Sequence, residues 1–132
     1  EGYALYVLIF LLVPLASAVT PNCFELSWLT GLAVTDRVSA EAAALALPCG
    51  EAVVTSVPVD DQHLGTLLCT RQVKHFIPSV KRIRVPNGTG DFLAGAYLAA
   101  RLAHPPVAAL DRAMQQLETV IAKSVAGVLQ NT

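Results

Sequence analysis

The sequence predicts an α/β fold, a sheet carrying helices on its faces. Three observations point there. Glu51 to Pro58 is a compact apolar run of strand length, rich in β-branched residues, and suits a central, buried strand. Two more strand-like runs follow it at hairpin spacing. Helical patterns lie on both sides of these strands in the chain, the order expected of a sheet with helices on its faces. The 132 residues suffice for one modest domain, and 54% hydrophobic against 14% charged residues fits a well-buried core and argues against disorder.

Each element has a local cause. Ser17 to Thr20 reads as a short strand stopped by Pro21-Asn22. Cys23 to Thr30 reads as a short helix with Phe24, Leu26, Trp28 and Leu29 as its apolar contacts, ended by Gly31. Ser39 is placed to cap a second helix, Ala40 to about Leu47, with Glu41 in its first turn. Pro48-Cys49-Gly50 ends it. The Glu51 to Pro58 strand leads through a turn, Val59 to Gln62, into strands His63 to Thr70 and Gln72 to Val80. Lys81, Arg82 and Arg84 form a basic edge.

Asp91 to Ala103 is apolar nearly all round, with Gly95, Ala96, Ala99 and Ala100 allowing close approach, which predicts a helix held inside against a sheet. Pro105-Pro106 breaks the chain. Val107, Leu110, Met114, Leu117, Ile121, Val125 and Val128 then recur at helical spacing, the pattern of an amphipathic outer helix. No internal repeat or low-complexity segment is present.

Composition removes several function classes. A net charge of -1 supplies no basic field for nucleic acid, and 6% aromatic residues supply few stacking platforms. Cys23, Cys49 and Cys69 form no CxxC pair and read as free thiols, which suits a reducing compartment. His63, His75 and His104 lack metal-ligand spacing. The chain opens on Glu1 rather than methionine, which predicts a processed product or a fragment.

Tyr3 to Ala18 carries no charge and ends in a small-residue site, Ala16-Ser17-Ala18, like a signal peptide. No Lys or Arg precedes it, Pro14 interrupts it, and it is short for a span of roughly 20 residues. The other reading is a buried helix end followed by the Ser17 to Thr20 strand.

Chemistry concentrates in Asn87-Gly88-Thr89-Gly90-Asp91. Glycines at 88 and 90 open backbone conformations and leave amides unblocked at a helix start, where the dipole favours an anion such as phosphate. A carboxylate there is held ionised and can take a proton from a hydroxyl while neighbouring amides stabilise a transferring phosphoryl group. The plain alternative is that Asp91 only stabilises its helix. An intramembrane aspartyl protease of GxGD type needs a second Asp in a spanning segment, and Tyr3 to Ala18 has none. Neither GxxxxGK[ST] nor GxGxxG occurs.

Three ordered blocks narrow the choice: LVPLASAVTPNCFELSWLTG (Leu12 to Gly31), VVTSVP (Val53 to Pro58) and VPNGTGDFLAGAYLAARL (Val85 to Leu102). In this order the sequence resembles the C-terminal half of a pyridoxal kinase of the ribokinase-like superfamily. The resemblance covers most of the chain from Leu12 and is weak between Pro58 and Arg84. Related hydroxymethylpyrimidine kinases are similar in Thr-Pro-Asn but commonly lack the Asp in this form of the glycine motif. Sugar kinases of the superfamily usually carry a GAGD-like version.

The resemblance implies part of a three-layer α/β/α sandwich, with residues 1–132 as a partial kinase domain. It implies ATP-dependent phosphorylation of the 5′-hydroxyl of pyridoxal in the cytoplasm. Asp91 matches the catalytic base, and Gly88, Thr89 and Gly90 match the anion hole. Asn22 and Glu25 match an N-x-x-E motif associated with magnesium and the ATP phosphates. Thr55 and Ser56 match a Thr-Ser pair on ATP phosphate. Thr20 and Thr55 lie where members can bind potassium. Read locally, Asn22 is a helix cap with Glu25 as its capping-box partner, and Thr55 a strand former.

Members are about twice this length, and the half absent here carries most of the vitamin pocket. Tyr3 to Leu12 replaces a helix that is normally more polar. An isolated half would keep the base and phosphate site, lack most of the acceptor pocket and expose a sheet edge. Three further readings stay open: a non-catalytic nucleotide-binding or dimer-forming remnant, a hydroxymethylpyrimidine or related small-molecule kinase, and a membrane-attached or exported protein. Against the last, the family block begins at Leu12, inside the apolar segment, so cleavage after Ala18 would cut into the fold. The resemblance implies ATP and a B6 vitamer as partners, and a homodimer at full length.

Overall fold

The computed structural model describes residues 17–82 and 88–130, the side chains of the last helix as far as Ser124. The apolar stretch before Ser17, Arg84 and the start of the third block (Val85 to Asn87) lie outside the described residues, as do the side chains of Val125 and Val128. The order of elements is α1 (Cys23–Thr30), α2 (Arg37–Ala46), β1 (Glu51–Pro58), β2 (His63–Thr70), β3 (Lys74–Val80), α3 (Thr89–Arg101) and α4 (Pro106–Gln130). Two compact units result, Glu1–Lys81 and Arg82–Thr132.

In the first unit β1, β2 and β3 form an antiparallel sheet in that order. On its other side β1 receives the chain before α1 in parallel, through bridges Val19 to Ala52 and Asn22 to Thr55. The expected Ser17 to Thr20 strand is thus a pair of bridges that continues past Pro21. Proline lacks a donor but keeps its acceptor, and Thr55 N–H bonds the Pro21 carbonyl at 3.0 Å.

The α1 bounds and the left-handed Gly31 stop (φ 72°) are as the sequence predicts. Its buried face differs from expectation. Leu26 is fully buried and Leu29 packs on the core, whereas Phe24 and Trp28 are exposed. Phe24 and Trp28 are four residues apart and so share a different stripe of the helix from Leu26.

The second helix begins earlier than expected. Asp36, not Ser39, is its cap: the Asp36 carboxylate accepts from Ser39 N–H at 2.8 Å, and Ser39 Oγ accepts from Asp36 N–H at 3.0 Å. Those bonds to Ser39 hold the Asp36 carboxyl below its usual range. Glu41 then falls outside the first turn and pairs with Arg37. Leu26, Ala40, Ala43, Ala52, Val54, Val57 and Leu67 form one core cluster between these helices and the sheet.

The turn before β2 is tied by Asp60, which accepts from Gln62 N–H and touches His63 Nδ1, both at 2.8 Å. β3 starts two residues later than expected. Thr70 Oγ1 accepts from the amides of Gln72 and Val73, which draws both into the hairpin turn. Pro78 lies in β3, which has a neighbour on one side only among the described residues.

In the second unit α3 packs against α4. Leu110, Met114, Leu117 and Ile121 are buried as expected, Val107 is only half-buried, and Ala109 and Ala113 join the buried stripe. The apolar surface that led to the expectation of a helix held inside is buried on one stripe only. Leu93 and Tyr97 are its buried residues, while Phe92 and Leu98, and Leu102 just past its end, are exposed. Residues four apart share one stripe, and Leu93 with Tyr97 supply it. Nothing approaches Gly95, so its missing side chain serves no close contact among the described residues.

Candidate active site

Asn22 ends the parallel segment and starts α1. Its Oδ1 accepts from Glu25 N–H at 2.7 Å, and its own N–H donates to Glu25 Oε1 at 2.9 Å. The capping box is therefore real, and it uses one Glu25 carboxylate oxygen. Glu25 is exposed. Both residues stand at the positive end of a helix dipole.

The Asn22 to Thr55 bridge sets this helix start beside the carboxyl end of β1. There the β1–β2 register slips between Val54 and Val57, a bulge that holds Thr55 and Ser56. Ser56 takes φ 57°, a left-handed conformation costing an L-residue about 1–2 kcal/mol. Strain of this kind persists where surrounding contacts hold it, commonly at ligand sites. Thr55 is half-buried and Ser56 exposed. Four sequence-predicted residues, Asn22, Glu25, Thr55 and Ser56, are thus brought together where the parallel segment ends beside the β1 bulge. Thr20 lies between Val19 and Pro21, both bonded to β1.

One neighbour was not foreseen. Cys23 Sγ lies 3.7 Å from the Ser56 carbonyl and 4.0 Å from that of Thr55. A contact across 33 residues leaves no local signal in the sequence. Its position inside N-x-x-E was the available clue. Burial pushes this thiol up, so it stays protonated at neutral pH.

The glycine motif belongs to the second unit. Its helix starts at Thr89, earlier than the expected Asp91. Gly88 is the N-cap at φ 85°, with no side-chain cap bond. That left-handed backbone is what a glycine permits. The first helical bond runs from Phe92 N–H to Gly88 O at 2.8 Å, so the amides of Thr89, Gly90 and Asp91 precede the ladder. Asp91 is exposed in the first turn. Among the described residues no cluster of three His, Cys, Asp or Glu could hold a metal, and no helix is long and apolar enough to cross a membrane. The three thiols are free.

The family described as phosphomethylpyrimidine kinase matches residues 3–130. A pyridoxal kinase of Rubrobacter xylanophilus is 33% identical over 127 residues, covering 91% of this chain and 41% of the relative. The Leishmania donovani pyridoxal kinase, solved with ADP and pyridoxamine, superposes with TM-score 0.79 at 29% identity, over 87% of this chain and 41% of that one. The Trypanosoma brucei pyridoxal kinase gives 0.80 at 29% identity, over 96% and 48%. The chain thus spans less than half the length of these relatives. It belongs to the phosphomethylpyrimidine kinase family and has the ribokinase-like α/β fold of the pyridoxal kinases it resembles.

Proposed function

We propose that this chain is the phosphate-binding and base-bearing part of a pyridoxal kinase, transferring the ATP γ-phosphoryl group to the 5′-hydroxyl of pyridoxal. The observation that carries the reading is the parallel bridge joining Asn22 to Thr55, which brings Asn22 and Glu25 beside the Thr55–Ser56 bulge. The relatives named above include a pyridoxal kinase solved with ADP and pyridoxamine.

In this reading the helix start and bulge orient the ATP phosphates. Asp91 takes the hydroxyl proton, and the amides of Gly88, Thr89 and Gly90 stabilise charge on the phosphoryl group during in-line transfer. Magnesium suits Glu25, since that ion is commonly held by one or two carboxylates plus substrate phosphates. When bound it neutralises phosphate charge. Thr20 and Thr55 are the residues proposed for potassium.

Glu25→Gln separates the two roles of Glu25. Glutamine still completes a capping box, so the midpoint of thermal unfolding should stay within about 2 °C. Titration with Mg-ATP should show binding weakened by about tenfold, the loss of one charge-assisted contact. Unchanged Mg-ATP affinity would leave Glu25 a cap alone.

A further inference from the structure

Cys23 is the first residue of α1 and stands between Asn22 and Glu25. Across from it, Ser56 is the one non-glycine residue with positive φ among the described residues. Both carbonyls of the bulge turn toward the thiol, that of Ser56 at 3.7 Å and that of Thr55 at 4.0 Å, distances suited to long S–H···O contacts. The Thr55 N–H is already bonded to Pro21. A donor is therefore aimed at the carbonyl that follows the strained torsion.

We infer that Cys23 is a positioning residue: its thiol donates to the Ser56 carbonyl and holds the Thr55–Ser56 bulge against the start of α1. Its consequence for ATP rests on the function proposed above; the hold on the bulge does not. The competing role is plain filling, since Cys23 also packs on the Leu26 core. Valine keeps apolar bulk without a donor, and serine keeps a donor with less bulk. The two substitutions therefore separate the roles.

The test is amide hydrogen exchange over residues 54–57 in the 132-residue chain, with Mg-ATP titration alongside and circular dichroism to verify folding. Cys23→Val should exchange about two- to fivefold faster there, the net worth of one weak S–H···O bond, and Cys23→Ser should recover most of the protection. Unchanged exchange in Cys23→Val, or equal loss in both variants, overturns the inference. If exchange responds as expected while the wild-type chain takes up no ATP, the positioning role stands and the nucleotide reading falls.

Discussion

Asp91→Asn should lower pyridoxal phosphorylation by about 10²- to 10⁴-fold, the usual worth of a positioned general base. Asparagine keeps the shape and loses the charge. The helix forfeits only the interaction of a first-turn carboxylate with its dipole, about 0.3–1 kcal/mol. Folding should therefore survive, and Mg-ATP affinity should change by less than about threefold, because the phosphate grip is proposed for Asn22, Glu25, Thr55 and Ser56. The assay is turnover of pyridoxal with ATP, on this chain alone or completed by the N-terminal half of a family member. Near-normal turnover would reduce Asp91 to helix stabilisation. A parallel loss of Mg-ATP binding would move it from base to phosphate-site residue.

Gly65→Ala should destabilise the first unit by about 1–3 kcal/mol, the cost of overpacking. Gly65 lies in β2 opposite Pro78, and the Phe76 ring folds over it from β3. A Cβ built at Gly65 falls among the ring atoms, so the ring must leave. Phe76 also lies under the Arg37 guanidinium, 4.9 Å from its centroid, which ties the hairpin to α2. Displacing the ring loosens both contacts. Urea unfolding should show a lower midpoint with an unchanged slope. In a Phe76→Leu background the same glycine substitution should cost clearly less, because the clash is with the ring. Equal costs in the two backgrounds would place the strain elsewhere.

The helix starts show where local reading succeeds and stops. Asn22 and Glu25 close a capping box as their spacing suggests, because both partners lie within four residues. At α2 the same logic chose Ser39, when Asp36 three residues earlier uses Ser39 as its own partner. At α3 the first turn was set too late because Gly88, not a polar side chain, begins the helix. The candidate site was read mainly from the order of three motif blocks. Asp91 by itself reads equally as an ordinary first-turn carboxylate.

What the sequence determined by itself was the set of elements: α1 and its Gly31 stop, the bounds of β1 and β2, and the buried stripe of α4 from Leu110 to Ile121. These depend on periodicity and stop signals confined to a few neighbouring residues. The tertiary structure alone decided the bulge at Thr55 and Ser56, the turn of Cys23 toward it, the cover that Phe76 gives Gly65, and which stripes of α1 and α3 are buried. Each of these needs backbone pairing or packing between residues distant in sequence, 33 apart for Cys23 and Ser56. No local propensity encodes such a contact. It exists only once the strands have found their register.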